Sequence, residues 1–217
     1  MSDARGRIFK RIAQALHHDT AADAPAVTQR LSEKTRGTQP KWSESTRERF
    51  LAKLEKVVGT HAELASPAQI PQAVGDYLAA QNLPKRLTAA PHPLLNEVSW
   101  PADWQVAQRS AQGDDRVGLA VAFCAIAETG SLMLLAGPDS PTSLNFLPDD
   151  FLCVLPESRI VPRMEDAWAL LRVERGAMPR AVNIVTGPSR TADVEQTIQL
   201  GAHGPRRLHV LLLRDTA

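Results

Sequence analysis

The feature that most constrains the fold is the order in which short apolar runs alternate with amphipathic stretches between residues 43 and 90. Ser43 or Ser45 can cap a helix whose apolar positions are Phe50, Leu51, Leu54, Val57 and Val58. A short strand at residues 61–65 follows. Ser66-Pro67 then opens a second helix with Ile70, Val74, Tyr77 and Leu78 on one face, the proline sitting where its missing N–H is least felt. A strand over residues 86–90 completes an αβαβ unit. That order predicts an α/β fold, a mainly parallel sheet covered by helices.

The rest of the chain keeps the α/β order without an internal repeat. Residues 117–127 are almost wholly apolar, Glu128-Thr129-Gly130-Ser131 interrupts them, and 132–136 resume the run. This pattern reads as a β-hairpin or as a strand with a sharp functional break. A proline-rich loop (137–148), a strand (151–155) and a helix (164–172) follow. Val182, Ile184 and Val185 mark a buried strand, Gly187-Pro188-Ser189 breaks it, and residues 191–200 read as a helix anchored by Val194, Ile198 and Leu200. Residues 208–213 supply a final buried strand.

The N-terminal part differs in character. Residues 2–18 carry Ile8, Ile12 and Leu16 at helical spacing with Arg5, Arg7, Lys10 and Arg11 between them. With alanine as its commonest other residue and no tryptophan or leucine-rich face, this helix is expected to dock on its own domain or on a second subunit rather than on a membrane. Residues 20–41, with Pro25, Gly37 and Pro40, read as an extended arm with one short helical piece near 27–33. The chain therefore divides into an N-terminal helix and arm (1–44) and an α/β domain (45–217).

Composition excludes several classes. The formal charge is +1 and the basic residues are dispersed among acidic ones, so the basic face that nucleic-acid binding needs is absent. Cys124 and Cys153 both sit inside apolar runs and read as small buried hydrophobes. Without a Cys-x-x-Cys pair the chain cannot supply four thiolates to an iron–sulfur cluster, and no disulfide framework is expected. The N-terminus is charged where a signal peptide needs an apolar core, and no apolar run reaches membrane-spanning length, so a cytoplasmic location is expected. No histidine spacing suits a metal, and the P-loop, the dinucleotide fingerprint and the hydrolase elbow are missing.

Two places carry candidate chemistry. A strand turning into a helix at residues 184–195 would point free backbone N–H groups and a helix dipole at one spot, a site for an anion built by Gly187, Pro188, Ser189, Arg190, Thr191, Asp193 and Glu195. The alternative is an ordinary αβ corner with a good cap. Asp193 and Glu195 already place negative charge there and Arg190 offsets one of them, so a small monocarboxylate, or a neutral group bonded to Asp193, fits better than a polyphosphate.

The second candidate is Glu128. A carboxylate closing a long apolar run is expected to be partly desolvated and suits an acid, base or nucleophile role. Gly130 lets backbone or ligand approach closely, and Ser131 is grouped with it as a binding residue. The competing reading makes these four residues a solvent-facing turn. His203 can fold back towards the sheet edge or stay solvated, while His92 sits in a rigid Pro91-His92-Pro93 loop. Trp100 and Trp104 bracket a lid or interface segment, or else one ring is buried in the core.

Four motifs, Ala-Glu-Thr-Gly-Ser (127–131), Leu-Pro-Glu-Ser-Arg-Ile-Val-Pro (155–162), Gly-Pro-Ser-Arg-Thr-Ala-Asp-Val-Glu (187–195) and Leu-Gly-Ala-His-Gly-Pro (200–205), occur in that order. Together they resemble the LUD-domain family, within it the lactate utilization protein C (LutC/YkgG-like) branch, over roughly residues 45–214. The resemblance implies a fold like that of ribose-phosphate isomerases, glucosamine-phosphate deaminases and CoA-transferases. It also implies a role in oxidising L-lactate to pyruvate, with a small carboxylate such as lactate as ligand. The iron–sulfur clusters would lie in partner proteins and no cofactor would be bound by this chain. An alternative implied by the likeness of Glu128-x-Gly130 to the glutamate-x-glycine signature is a stand-alone CoA-transferase-like enzyme using Glu128, although no glycine-rich oxyanion segment precedes it.

Overall fold

The computed structural model describes residues 4–16, 20–33, 36–191, 199–201 and 203–215. They form two compact units, Met1–Trp42 and Ser43–Ala217. The first holds helices α1 (Ala4–Leu16) and α2 (Thr20–Glu33). α2 corrects the expected extended arm: it covers 14 residues, with Pro25 inside it. A proline within the first two turns removes one backbone bond but leaves the later turns intact, so the helix continues through Pro25.

The second unit begins with α3 (Thr46–Lys56), started by a reciprocal capping box in which Ser45 Oγ accepts the Glu48 N–H and Glu48 accepts the Ser45 N–H. α3 ends before the expected apolar positions Val57 and Val58; Val58 is left-handed (φ 65°) and 60% exposed, so it serves the reversal rather than the core. Then come β1 (Thr60–Leu64), α4 (Ile70–Ala80), entered through a single 3-10 turn at Pro67–Gln69, β2 (Arg86–Ala89), α5 (Pro93–Asn96), β3 (Gln105–Gln108) and β4 (Val117–Val121). Ile70, Val74, Tyr77 and Leu78 are buried on α4 as their spacing predicts.

The apolar run from 117 to 127 changes sheets at Ala122 and Phe123. Its second half is β5 (Cys124–Ile126), which pairs antiparallel with β6 (Ser131–Leu135), giving the hairpin. β7 (Asp150–Pro156), β8 (Ile160–Val161), α6 (Met164–Arg175) and β9 (Val182–Val185) follow, then β10 (Arg190–Thr191), β11 (Gln199–Leu200) and β12 (Arg207–Leu213).

Six strands make one wholly parallel sheet in the order β1-β12-β7-β4-β2-β3, and four make a second in the order β8-β5-β6-β9. β4, β7 and β12 are buried nearly end to end, as both-face covering requires. α6 lies on the second sheet, where Ala167 and Leu171 share a core with Phe123, Ile126 and Met133. Both cysteines are buried and unpaired.

At the amino-terminal edge of the large sheet, fully buried Asp150 accepts from Tyr77 Oη (2.6 Å) and from two nitrogens of Arg207, its register partner on β12. A buried carboxylate with three donors is satisfied, so this edge is braced.

Candidate functional site

The expected helix over residues 191–200 is not formed at its ends. Arg190 pairs with Leu200 and Thr191 with Gln199 in an antiparallel ladder, and residues 192–198, with Asp193 and Glu195, lie outside the described residues. Two local bonds set this geometry: the Ser189 N–H donates to the Pro205 carbonyl (2.8 Å), and the Gly201 N–H to the Ser189 carbonyl (3.1 Å). Cross-linking of the two glycine loops thus uses the backbone groups that a helix start at Ser189 would have left free.

The structure brings the described parts of all four motifs together, and α3 is the template for the first and third. Gly130 (φ +72°) lies so close to α3 that a Cβ there would sit 2.7 Å from the Leu54 backbone nitrogen. Gly187 (φ +79°) meets the next turn, where a Cβ would be 2.8 Å from the Val57 carbonyl oxygen. Each position therefore needs glycine twice, for its left-handed backbone and for its contact. Arg190 Nη2 donates to the Val57 carbonyl (3.4 Å), giving an orphan carbonyl just past the α3 C-terminus a partner.

A chain of hydroxyls ties the hairpin to the glycine turn. Buried Ser131 Oγ lies 2.7 Å from Thr129 Oγ1 and 2.7 Å from Thr186 Oγ1. Gly204 packs on Ser189, with a virtual Cβ–Cβ distance of 3.4 Å, and Pro188 is buried beneath the turn. Glu128 is half-buried in the hairpin turn, its N–H donating to the Pro162 carbonyl (3.0 Å), and His203 is exposed.

The opposite, open end of the same hairpin borders a cavity of about 410 Å³ at the carboxyl edge of the large sheet. From β2 the chain runs outward to β3, whereas from β4 it proceeds inward to β7 and β12. Neighbouring strands β2 and β4 are thus left in opposite directions, the arrangement that opens a ligand crevice in parallel α/β sheets. The cavity lies there, lined by His92 after β2, Val121 to Phe123 after β4, Pro156 of β7, the turn at residues 137–140 and Arg175 at the end of α6.

Its polar groups are few and arranged. His92 Nδ1 accepts the Leu94 N–H (3.2 Å), which leaves the proton of the neutral ring on Nε2. Burial holds the His92 pKa below its ordinary value, Asp139 pulls it back up and Arg175 pushes it down, so the ring is a neutral donor at pH 7. Ser140 Oγ is buried without a partner among the described residues. Arg159 is consumed by structure: Nε donates to the Phe123 carbonyl (3.0 Å), both Nη atoms grip Glu174, and the guanidinium lies 5.0 Å above the Phe123 ring. The Arg175 guanidinium, by contrast, makes no hydrogen bond or ion pair among the described residues.

With the Arg175 cation, the Asp139 carboxylate, a neutral N–H donor and a free hydroxyl against an apolar floor, the cavity suits a small molecule with one carboxylate and a further hydroxyl rather than a polyanion. None of the sequence-derived candidates lines this cavity. His92 was recognisable only as part of a rigid loop, while Asp139 and Arg175 carry no spacing signal at all. Among the described residues, no group of three or more His, Cys, Asp or Glu could hold a metal ion.

Comparison with known proteins supplies the wider setting. A family model described as the LUD domain matches residues 10–213. Proteins named lactate utilization protein C are similar to the chain: the one from Geobacillus thermodenitrificans is 34% identical over 102 residues, 46% of this chain and 42% of the relative. The one from Bacillus subtilis is 32% identical over 119 residues, 54% of this chain and 50% of the relative. The matched stretches thus span half or less of these relatives' length. A crystal structure of a DUF162 family protein from Deinococcus radiodurans superposes with a TM-score of 0.55 at 21% identity, covering 79% of this chain and 99% of that one. That likeness concerns the fold.

Proposed function

Because the chain belongs to the LUD-domain family, we propose that it is a non-redox component of a lactate utilization system, binding a small carboxylate while iron–sulfur partner proteins carry the electrons. The name of its relatives supports the pathway. The cavity between the carboxyl ends of β2, β4 and β7 is the observation that carries the rest: Arg175 matches a carboxylate, and His92 Nε2 and Ser140 Oγ offer neutral hydrogen bonds to a second oxygen.

The division of labour rests on the thiols. Burial pushes the Cys124 pKa up to about 12 and that of Cys153 higher still, so neither presents a thiolate for cluster ligation. Electrons would then pass through partners, and this chain would hold or deliver the carboxylate.

Reconstitution tests the reading. The purified chain alone should reduce no dye in the presence of L-lactate, and activity should emerge when its iron–sulfur partners are added. Robust lactate-dependent dye reduction by the chain alone would overturn it. So would an acyl or CoA adduct on Glu128 after incubation with an acyl-CoA, which would make the protein a covalent transferase.

A further inference from the structure

We propose that Asp139 makes the cavity selective for 2-hydroxy acids, accepting a hydrogen bond from the α-hydroxyl and discriminating against the corresponding 2-oxo acid. This rests on the reading of the cavity as a carboxylate site. Asp139 stands in a tight turn that does not need its side chain. The Gly137 N–H donates to the Ser140 carbonyl (3.2 Å) and the Ser140 N–H to the Gly137 carbonyl (3.1 Å). Pro138 supplies the fixed φ that the first corner of such a turn favours. The half-buried Asp139 carboxylate lines the cavity, yet it makes no hydrogen bond or ion pair among the described residues. One of its oxygens folds back over Gly137, 2.8 Å from where a Cβ would stand, so the glycine leaves room for it.

Two charges of opposite sign thus border one space without pairing with each other, Asp139 on the turn and Arg175 at the end of α6. Both act on the His92 ring: beneath the larger lowering by burial, Asp139 raises its pKa and Arg175 lowers it. A ligand that serves all three groups needs a carboxylate for Arg175, a lone pair for His92 Nε2 and a proton for Asp139. A hydroxyl beside the carboxylate carries the last two on one oxygen. A 2-oxo group accepts from His92 but brings no proton, and its lone pairs face an anion left unsatisfied. An α-ammonium serves Asp139 but has no lone pair for the His92 N–H. The site therefore retains the hydroxy acid and releases the ketone, which places the protein on the supply side of an alcohol-to-ketone oxidation.

Calorimetric titration of the full chain with L-lactate, pyruvate, propionate and L-alanine tests this, since the four share a three-carbon carboxylate and differ at the α-carbon. L-Lactate should bind roughly tenfold or more tightly than pyruvate or propionate, the usual worth of a hydrogen bond to a charged group. L-Alanine should bind more weakly than L-lactate. Asp139→Ala should bring L-lactate to the level of propionate, and retained propionate binding reports that the variant is folded. Equal binding of L-lactate, pyruvate and propionate by the parent, or a lactate preference that survives in Asp139→Ala, would overturn the proposal and leave carboxylate binding standing. Tighter binding of L-alanine than of L-lactate would overturn it in favour of a zwitterionic ligand. Binding of none of the four would overturn the carboxylate reading itself, and the proposal with it.

Discussion

Gly130→Ala perturbs the point where the hairpin turn, the hydroxyl chain and α3 meet. An alanine in the left-handed region costs about 1–2 kcal/mol relative to glycine. Its methyl would in addition sit 2.7 Å from backbone atoms of both Lys53 and Leu54, which belong to a capped helix and cannot rotate away. Forcing a methyl into such a contact costs about a further 1–3 kcal/mol. The two costs together should place Gly130→Ala below the parent by about 2–5 kcal/mol in urea denaturation, with a thermal midpoint lower by roughly 2–4 °C per kcal/mol for a domain of this size. A loss of no more than about 1–2 kcal/mol, the backbone cost alone, would refute the claim that α3 is the template on which the motifs converge.

Ser131→Ala removes the central hydroxyl of the Thr129–Ser131–Thr186 chain and should destabilise by about 1–2 kcal/mol in the same assay; no loss would mean that the chain contributes nothing. His209, buried beside Tyr77 and bonded to Thr60 Oγ1 (2.8 Å), has its pKa lowered from 6.5 to about 4, by burial first and by nearby His61 second. In that interval the unfolded chain takes up a proton that the folded one refuses. Its contribution is therefore complete above pH 6.5 and lost as pH falls towards 4, up to about 3 kcal/mol. His209→Gln should flatten this acid limb in urea midpoints measured across the interval, and an unchanged slope would contradict the assignment.

Much of the large sheet was legible because its strands announce themselves. β4, β7 and β12 are runs of apolar residues bounded by turns, and α3 and α4 carry clean helical spacing with a cap or an early proline. β3 escaped notice, since Gln105–Gln108 is a short edge strand with polar ends and no buried face. The ends of the helix expected over residues 191–200 differ for another reason: the pairing of Arg190 with Leu200 and of Thr191 with Gln199 accompanies bonds of Ser189 with Pro205 and Gly201, which periodicity does not encode.

Half of the site followed the same logic. The motif residues do meet, since a turn glycine and a buried serine leave local marks. The cavity left none: His92, Ser140 and Arg175 come from a Pro-His-Pro loop, a proline-rich turn and a helix end, and only the reversal of strand order between β2 and β4 places them around one space.

The decisive measurement is a calorimetric titration of the full chain with L-lactate and with pyruvate, run in parallel on Arg175→Ala and Glu128→Gln. If the carboxylate is held at the carboxyl edge of the sheet, Arg175→Ala should weaken binding by roughly tenfold or more, the usual worth of a charge-assisted hydrogen bond, and Glu128→Gln should bind like the parent. Loss of binding in Glu128→Gln with Arg175→Ala unaffected would move the site to the far end of the hairpin and contradict the assignment made here.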